Sequence, residues 1–469
     1  MNERKTLPAG YSASPSNSPG ASLSDAYKVL PLKEPEGALS NAHGASPSDT
    51  PGASPSDTPG ASLFCDITDA SVEIRSKASP ILDILAKNGR EGRLVGGCVR
   101  DTILGKPSAD IDIAVNAPPD EVASIFEKAG LKVIPTGISH GTVTVIAGGV
   151  PFELTSLRKD VATDGRHATV EYTDAWEQDA ARRDFTINAL YLDRNGNIYD
   201  YFGGIHDLKH GIVRFVGNQV QRIKEDYLRI LRYYRFFLRF GREVDDGSAQ
   251  AVREHAACVS KLSMERVQSE LLKILSEPRP MDVLRMMSEV LVVIFGKEPD
   301  FDYADRLIRG TSPEIPPLLR LFALYPRDSD VFRRKLKLSK KQLRYIEAMS
   351  EVKDTCLSKV NLFKVRYKHG DDVAMGWVYV RLANGDELCS LLGDWNGEVD
   401  ALASIFSVPF PEFPLSGQDL LDVGFEPGPK LGGILARCEE WWCENEGRPE
   451  LEECLSWCRE DVHRERDLF

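Results

Sequence analysis

The chain has 469 residues, 42% of them hydrophobic, and a net charge of −13 at pH 7. That length suits several domains with real cores, and the acidic balance excludes a wholly basic nucleic-acid coat while leaving room for a local basic stripe. No apolar run reaches the roughly 18 residues of a membrane span, the N-terminus lacks a signal core or transit pattern, and nine scattered cysteines are no disulfide framework, so a cytoplasmic protein is expected.

Residues 1–63 are rich in Ser, Pro, Gly, Ala and Asp and contain the unit GASPSDTP twice in succession from Gly44 to Pro59. With almost no branched apolar residues, this segment cannot offset the entropy of ordering and reads as a disordered extension. Globular sequence starts near Asp69. Residues 70–88 are helical, with Ile74, Ile81, Leu82 and Leu85 on one stripe and Pro80 as a point of kinking. A Gly96-Gly97 turn follows, then the alternating strand pattern Asp110–Val115, a helix opened by Pro118-Pro119, and two β-runs, Gly141–Ala147 and Val150–Leu157, around a Gly148-Gly149 hairpin. Trp176–Leu190 reads as one helix and Gln219–Phe240 as another. Beyond residue 250 the pattern is mainly helical. Phe332–Met349 reads as one basic helix, and residues 386–469 carry 20 acidic against 6 basic side chains, a solvated helical face. The pairs Cys438/Cys443 and Cys454/Cys458 lie in helix-like sequence without the tight knuckle spacing of zinc sites, and are read as structural.

Chemistry concentrates at Asp110 and Asp112. On a strand, alternate side chains share a face, so these carboxylates point the same way and repel unless a cation lies between them. Their hard oxygens suit magnesium, which keeps waters and recruits substrate phosphates. Just upstream, Gly97 of the Gly-Gly turn lets backbone amides approach a triphosphate, and Arg100 can pair with phosphate oxygens. Glu153, in the strand Phe152-Glu153-Leu154, is either a third site carboxylate or a solvent-facing residue.

The run GGCVRDTILGKPSADID (residues 96–112) resembles motif A of the DNA polymerase beta-like nucleotidyltransferase superfamily, in the class II branch that holds CCA-adding enzymes and bacterial poly(A) polymerases. Further matches follow in order. TSLRKD (155–160) and DGRH (164–167) resemble the stretch between motifs A and B. RRDFTINAL (182–190), DYFGG (200–204) and EDYLRILRYYRF (225–236) resemble motifs B, C and D. The resemblance implies that Arg183, Arg232 and Arg235 touch the nucleotide, with Asp184 and Asn188 near the ribose. It also implies ATP, CTP and tRNA as partners. The His/Asp phosphohydrolase domain carried by some relatives is not expected, since only His369 and His463 follow His255 and neither adjoins an Asp.

The motif D residues also admit a chemical reading. Asp226 and Arg229, three apart, would share one face of a helix. A carboxylate only accepts hydrogen bonds and a guanidinium only donates, so the pair matches cytosine and adenine and leaves unpaired groups against guanine and uracil. From Arg214 to Arg242 eight basic residues face two acidic ones, a stripe suited to triphosphate and RNA ends. The expected fold is α+β: a small mixed-sheet head at 64–190, then an all-helical neck (191–280), body (281–385) and acidic tail (386–469). The expected activity is magnesium-dependent, template-independent addition of CCA to tRNA from CTP and ATP. The rivals are a bacterial poly(A) polymerase, an A-adding or CC-adding specialist, and a non-catalytic RNA-binding relative.

Overall fold

In the computed structural model, residues 69–466 are described apart from 109, 139–140, 164–167, 311–314, 388–405 and 408. The extension at 1–63 and the stretch DGRH therefore lie outside the described residues. The chain opens with α1 (Asp69–Lys87), whose stripe Ile74, Ala78, Ile81, Leu82 and Leu85 is buried. Next come β1 (Gly92–Val95), α2 (Gly97–Ile103), β2 (Asp112–Val115), α3 (Pro119–Lys128) and β3 (Lys132–Gly137). The hairpin β4 (Thr142–Ala147) and β5 (Val150–Ser156) turns through Gly148 and Gly149, both at positive φ, as a two-residue hairpin loop requires. A separate two-stranded ladder, β6 (Arg158–Thr163) with β7 (Ala168–Tyr172), precedes α4 (Trp176–Ala181). β8 (Leu190–Leu192) and β9 (Ile198–Asp200) complete the strands.

The main sheet has seven strands in the order β3-β4-β5-β2-β1-β8-β9, and only the β2–β5 pair is parallel. Alternation gives it two unlike faces. Leu94, Ile113, Val115, Phe152, Leu154, Leu190 and Leu192 point to a dry core completed by α1 and α3. Val95, Ala114 and Tyr191 point the other way, toward a smaller cluster with Ala180 of α4, Leu157 and Val216. Asp112 and Glu153 fall on that second face by the same alternation.

Three segments differ from the sequence-based expectation. The helix expected over 176–190 stops at Ala181. Phe185 is extended and fully buried, packing its ring 4.9 Å from Phe215 and 5.2 Å from Phe236. Residues Thr186–Asn188 form one 3₁₀ turn, and Leu190–Leu192 pairs with β1 and β9. Tertiary burial of Phe185, Ile187 and Leu190 overrides the helical periodicity there. The sheet thus continues to Asp200, past the expected head boundary at 190. The helix expected over 219–240 is two helices, α6 (Gln219–Glu225) and α7 (Leu228–Phe240), separated by Asp226 in an extended conformation. The basic helix expected over 332–349 is likewise divided into Asp330–Lys335 and Lys340–Val352. Between them Leu336 and Leu338 turn inward while Lys335 and Lys337 stay exposed, and Ser339 starts the second helix with a capping box to Gln342.

Between the sheet and α6 lies α5 (Gly204–His210), and after α7 come α8 (Asp246–Glu254) and α9 (Met264–Ser276). One hydrophobic cluster runs from Phe185 through these helices to Val380, so the expected neck–body cut at 280/281 falls inside a continuous core. Buried Arg320 braces this core by donating to the carbonyls of Leu275 and Glu277 at 2.7 and 2.6 Å, closing the end of α9. A second cluster gathers Ile434, Cys438, Trp442, Cys454 and Cys458 in the tail, against Phe363 and Tyr367.

The first turn of α5 holds the sheet against motif B. Gly204 donates its N–H to the Asp200 carboxylate at 2.9 Å, and a Cβ there would sit 2.2 Å from the backbone oxygen of Thr186. Gly204→Ala is therefore expected to lower unfolding stability by about 1–3 kcal/mol, because the obstacle is backbone that cannot rotate away. Urea unfolding followed by far-ultraviolet circular dichroism measures it; an unchanged midpoint would show that the turn yields freely.

Candidate active site

The parallel pairing of β2 and β5 sets Asp112 directly opposite Glu153. The two carboxylates share the sheet face that α4 partly covers. Asp110, two residues earlier, is exposed and close enough to add to the field at Asp112. Burial pushes the Asp112 carboxyl up to about 6 from its ordinary 3.8, with Glu153 and Asp110 adding to the rise and Arg183 opposing it. Asp112 thus meets a neighbouring carboxylate on β5 with Arg183 as the cation opposing the rise. Among the described residues no three His, Cys, Asp or Glu groups converge tightly enough to enclose an ion unaided. A divalent cation at such an open carboxylate pair completes its shell with water and phosphate oxygens, the habit of hard cations of magnesium size.

The glycine turn lies at the end of β1. Gly96 takes φ +75°, open to glycine at no steric cost, and a Cβ there would meet an Arg183 guanidinium nitrogen at 3.4 Å. Gly97 follows as the first residue of α2. Arg183 is held from behind by Asp179, at 3.0 and 3.3 Å, and by the Tyr191 hydroxyl at 3.3 Å. It thus joins the glycine turn to the field of the carboxylates.

A second group forms where motif B meets α7. Asp184 accepts from the Phe185 N–H (2.8 Å), from the Asn188 amide (3.1 Å) and from Arg232 (2.8 Å). Burial would raise the Asp184 carboxyl, but Arg232 and these hydrogen bonds outweigh it and hold it below its ordinary range. The oxygen of Asn188 accepts from Arg100 at 2.6 Å, and Arg100 also pairs with Asp101 at 2.8 Å and lies 4.4 Å above the Phe240 ring. Arg100, Asn188, Asp184 and Arg232 are thus one connected chain.

Asp226 and Arg229 are neighbours, but not on one helix face as expected. Asp226, two residues before α7, accepts from the Leu228 N–H at 3.1 Å, and its other oxygen accepts from Arg266 at 2.7 Å. Arg229 donates to Glu225 at 2.9 Å and to the carbonyls of Arg222 and Arg182 at 2.8 and 3.0 Å. The helix break leaves an acceptor and a donor three residues apart in the chain, each fixed by its own partners. Arg235 is not brought to these groups. It forms a buried pair with Glu270 of α9 at 2.7 Å, bracing α7.

Sequence reasoning passed over Asp179, Tyr191 and Glu225, which hold Arg182, Arg183 and Arg229 in place. Asp179 stands three and four residues before two arginines, a spacing that predicts contact on a helix. Tyr191 carried no local signal, because its partner comes from another element.

A family described as the poly A polymerase head domain matches residues 92–214, and one described as a probable RNA and SrmB-binding site of polymerase A matches 243–293. The chain is 34% identical over 403 residues to the mouse protein named CCA tRNA nucleotidyltransferase 1, mitochondrial, covering 81% of this chain and 89% of that one. It is 32% identical over 382 residues to the CCA-adding enzyme of Levilactobacillus brevis, covering 77% and 92%. The solved Bacillus stearothermophilus CCA-adding enzyme in complex with CTP superposes with a TM-score of 0.68 at 27% identity, over 84% of this chain and 99% of that one. The chain belongs to the CCA tRNA nucleotidyltransferase family.

The burial of Asp112, with Glu153 beside it, has a signature in stability. A carboxyl whose folded pKa is raised favours the fold most below its unfolded value and loses that contribution as pH rises to about 6. In metal-free protein, Asp112→Asn should therefore unfold at a higher temperature than the parent at pH 8. The gap should close as pH falls from about 6 to about 4, the interval between the two pKa values. Thermal melts across that range decide it, and an Asn variant less stable at pH 8 would contradict the raised pKa.

Proposed function

We propose that this chain adds C, C and A to the 3′ ends of tRNA, drawing on CTP and ATP and reading no nucleic-acid template. The observation that carries the proposal is the Asp112–Glu153 register with Asp110 beside it and Arg183 facing it across the glycine turn. Asp110 and Asp112 would hold magnesium, with Glu153 as the third carboxylate; the raised Asp112 carboxyl and the hard-oxygen donor set fit a divalent cation. Bound there, magnesium supplies a lowered pKa at the RNA 3′-hydroxyl and positive charge at the α-phosphate.

The chain's own residues do the rest. Backbone at Gly97 and the guanidinium of Arg183 would receive the triphosphate. Arg100 and Arg232, tied through Asn188 and Asp184, would fix the sugar end of the nucleotide, with Asp184 and Asn188 nearest the ribose. Asp226 and Arg229 would read the base edge, and Arg235 would support α7 from behind. Preorganised donors of this kind stabilise the charge that develops as the 3′-oxygen attacks in line and pyrophosphate leaves. Among the described residues every cysteine is a free thiol and no helix is long and apolar enough to cross a membrane; a reducing compartment, the cytoplasm, is the proposed site of action.

The deciding experiment offers magnesium and each nucleoside triphosphate to synthetic tRNAs ending before CCA, after C and after CC. Expected is addition that stops after CCA and ignores GTP and UTP. Long adenylate tails on any RNA would move the reading to a poly(A) polymerase. Asp110→Ala should fold normally yet incorporate nothing, and an active variant would remove the site. Asp226→Ala and Arg229→Ala should each admit UTP, because each unmatched polar group now costs about 1–3 kcal/mol of discrimination and the variants remove it.

A further inference from the structure

The side chain that ties the site together is one the proposed chemistry does not use. Asp179 is 1% exposed and sits in the middle of α4, on the sheet face that carries the carboxylates. Its Oδ1 accepts from Arg182 at 2.8 Å and from the backbone N–H of Arg158 at 3.4 Å. Its Oδ2 accepts from Arg183 at 3.0 Å and from the Tyr191 hydroxyl at 2.8 Å. Buried carboxylates persist only when paired this fully. Burial alone would raise the Asp179 carboxyl, yet Arg183, Arg182 and Tyr191 bring it down to about 2.

The two arginines lead in different directions. The guanidinium of Arg183 reaches the glycine turn, within 3.4 Å of where a Gly96 Cβ would stand, and acts on the charge of Asp112. Arg182 instead presents its carbonyl to the guanidinium of Arg229 at 3.0 Å, while the preceding Ala181 carbonyl receives Arg222 at 2.8 Å. The C-terminal end of α4 is thus the seat on which the motif D helices rest, and Asp179 fixes that end through the Arg182 side chain.

We propose that Asp179 is a positioning residue that couples triphosphate binding, through Arg183, to base selection, through Arg182 and Arg229. This rests on the reading of Arg183 and Arg229 as nucleotide contacts. The Tyr191 hydroxyl, donating to Asp179 and accepting from Arg183, belongs to the same device.

The test uses the full-length protein with a tRNA ending before CCA, magnesium, CTP and UTP. Asp179→Asn keeps the side-chain shape and removes its charge. Expected is a rise of about tenfold in KM for CTP with a smaller change in kcat, together with a lowered CTP-over-UTP ratio in kcat/KM. In an Arg183→Ala background the same change should leave KM almost unmoved, since its effect on triphosphate runs through Arg183, while still lowering the base ratio. Tyr191→Phe should shift KM the same way by less, and carries the test if Asp179→Asn fails to fold. A purely structural loss would reduce the active fraction and hence kcat, leaving KM and base ratio at parental values; that result, or KM effects that simply multiply in the double variant, overturns the proposal. Should Arg183→Ala itself leave KM for CTP unchanged, the assignment of Arg183 falls and the coupling with it. If Arg183→Ala raises KM and Asp179→Asn does not, only the coupling falls.

Discussion

Like charges on neighbouring strands are the constraint from which this head domain follows. Parallel pairing of β2 with β5 places Asp112 opposite Glu153, and no rotamer can carry either residue to the other face of the sheet. On this face Asp112 is half-buried and Glu153 exposed, beside a small apolar cluster, while the opposite face is the main dry core. The division of residues follows that demand. Leu94, Ile113, Val115, Phe152 and Leu154 are drawn to α1 and α3, while the opposite face receives a short α4 and a set of arginines.

The arginines meet the opposite problem, since a guanidinium held near a site must not wander or be stranded without a partner. Each is met from behind by an acceptor: Arg183 by Asp179, Arg232 by Asp184, Arg229 by Glu225, Arg100 by Asp101 and Asn188. Asp184 and Asn188 come from the stretch that leaves helical geometry after Ala181, while Asp179, Glu225 and Asp101 sit on α4, α6 and α2. Leaving helical geometry here lets Asp184 meet Arg232 and Asn188 meet Arg100 while Asp179 stays with Arg182 and Arg183. The price in lost helix is met by burial of Phe185 among Phe215, Tyr233 and Phe236.

Local pattern made much of this visible. Alternation marks the strand of Asp112, the paired glycines mark the β4–β5 hairpin, and Glu153, legible either as a third site carboxylate or as solvent-facing, is both exposed and opposite Asp112. What eluded the sequence were features set by distant partners. Leu190–Leu192 is a strand because β1 and β9 flank it, and α6 ends at Glu225 where Asp226 turns extended to meet the Leu228 N–H and Arg266. Arg235 stands at helical spacing with Arg232, yet its turn of helix faces Glu270 rather than Asp184. Spacing predicts which residues share a side of a helix, and only packing decides which neighbour that side meets.

The continuous core from Phe185 to Val380 has a consequence for how successive nucleotides are added. Close-packed interiors resist shear, so α7 cannot slide or tilt without dragging the helices of the body along. The edge proposed to read an incoming base is thereby anchored to a large packed block.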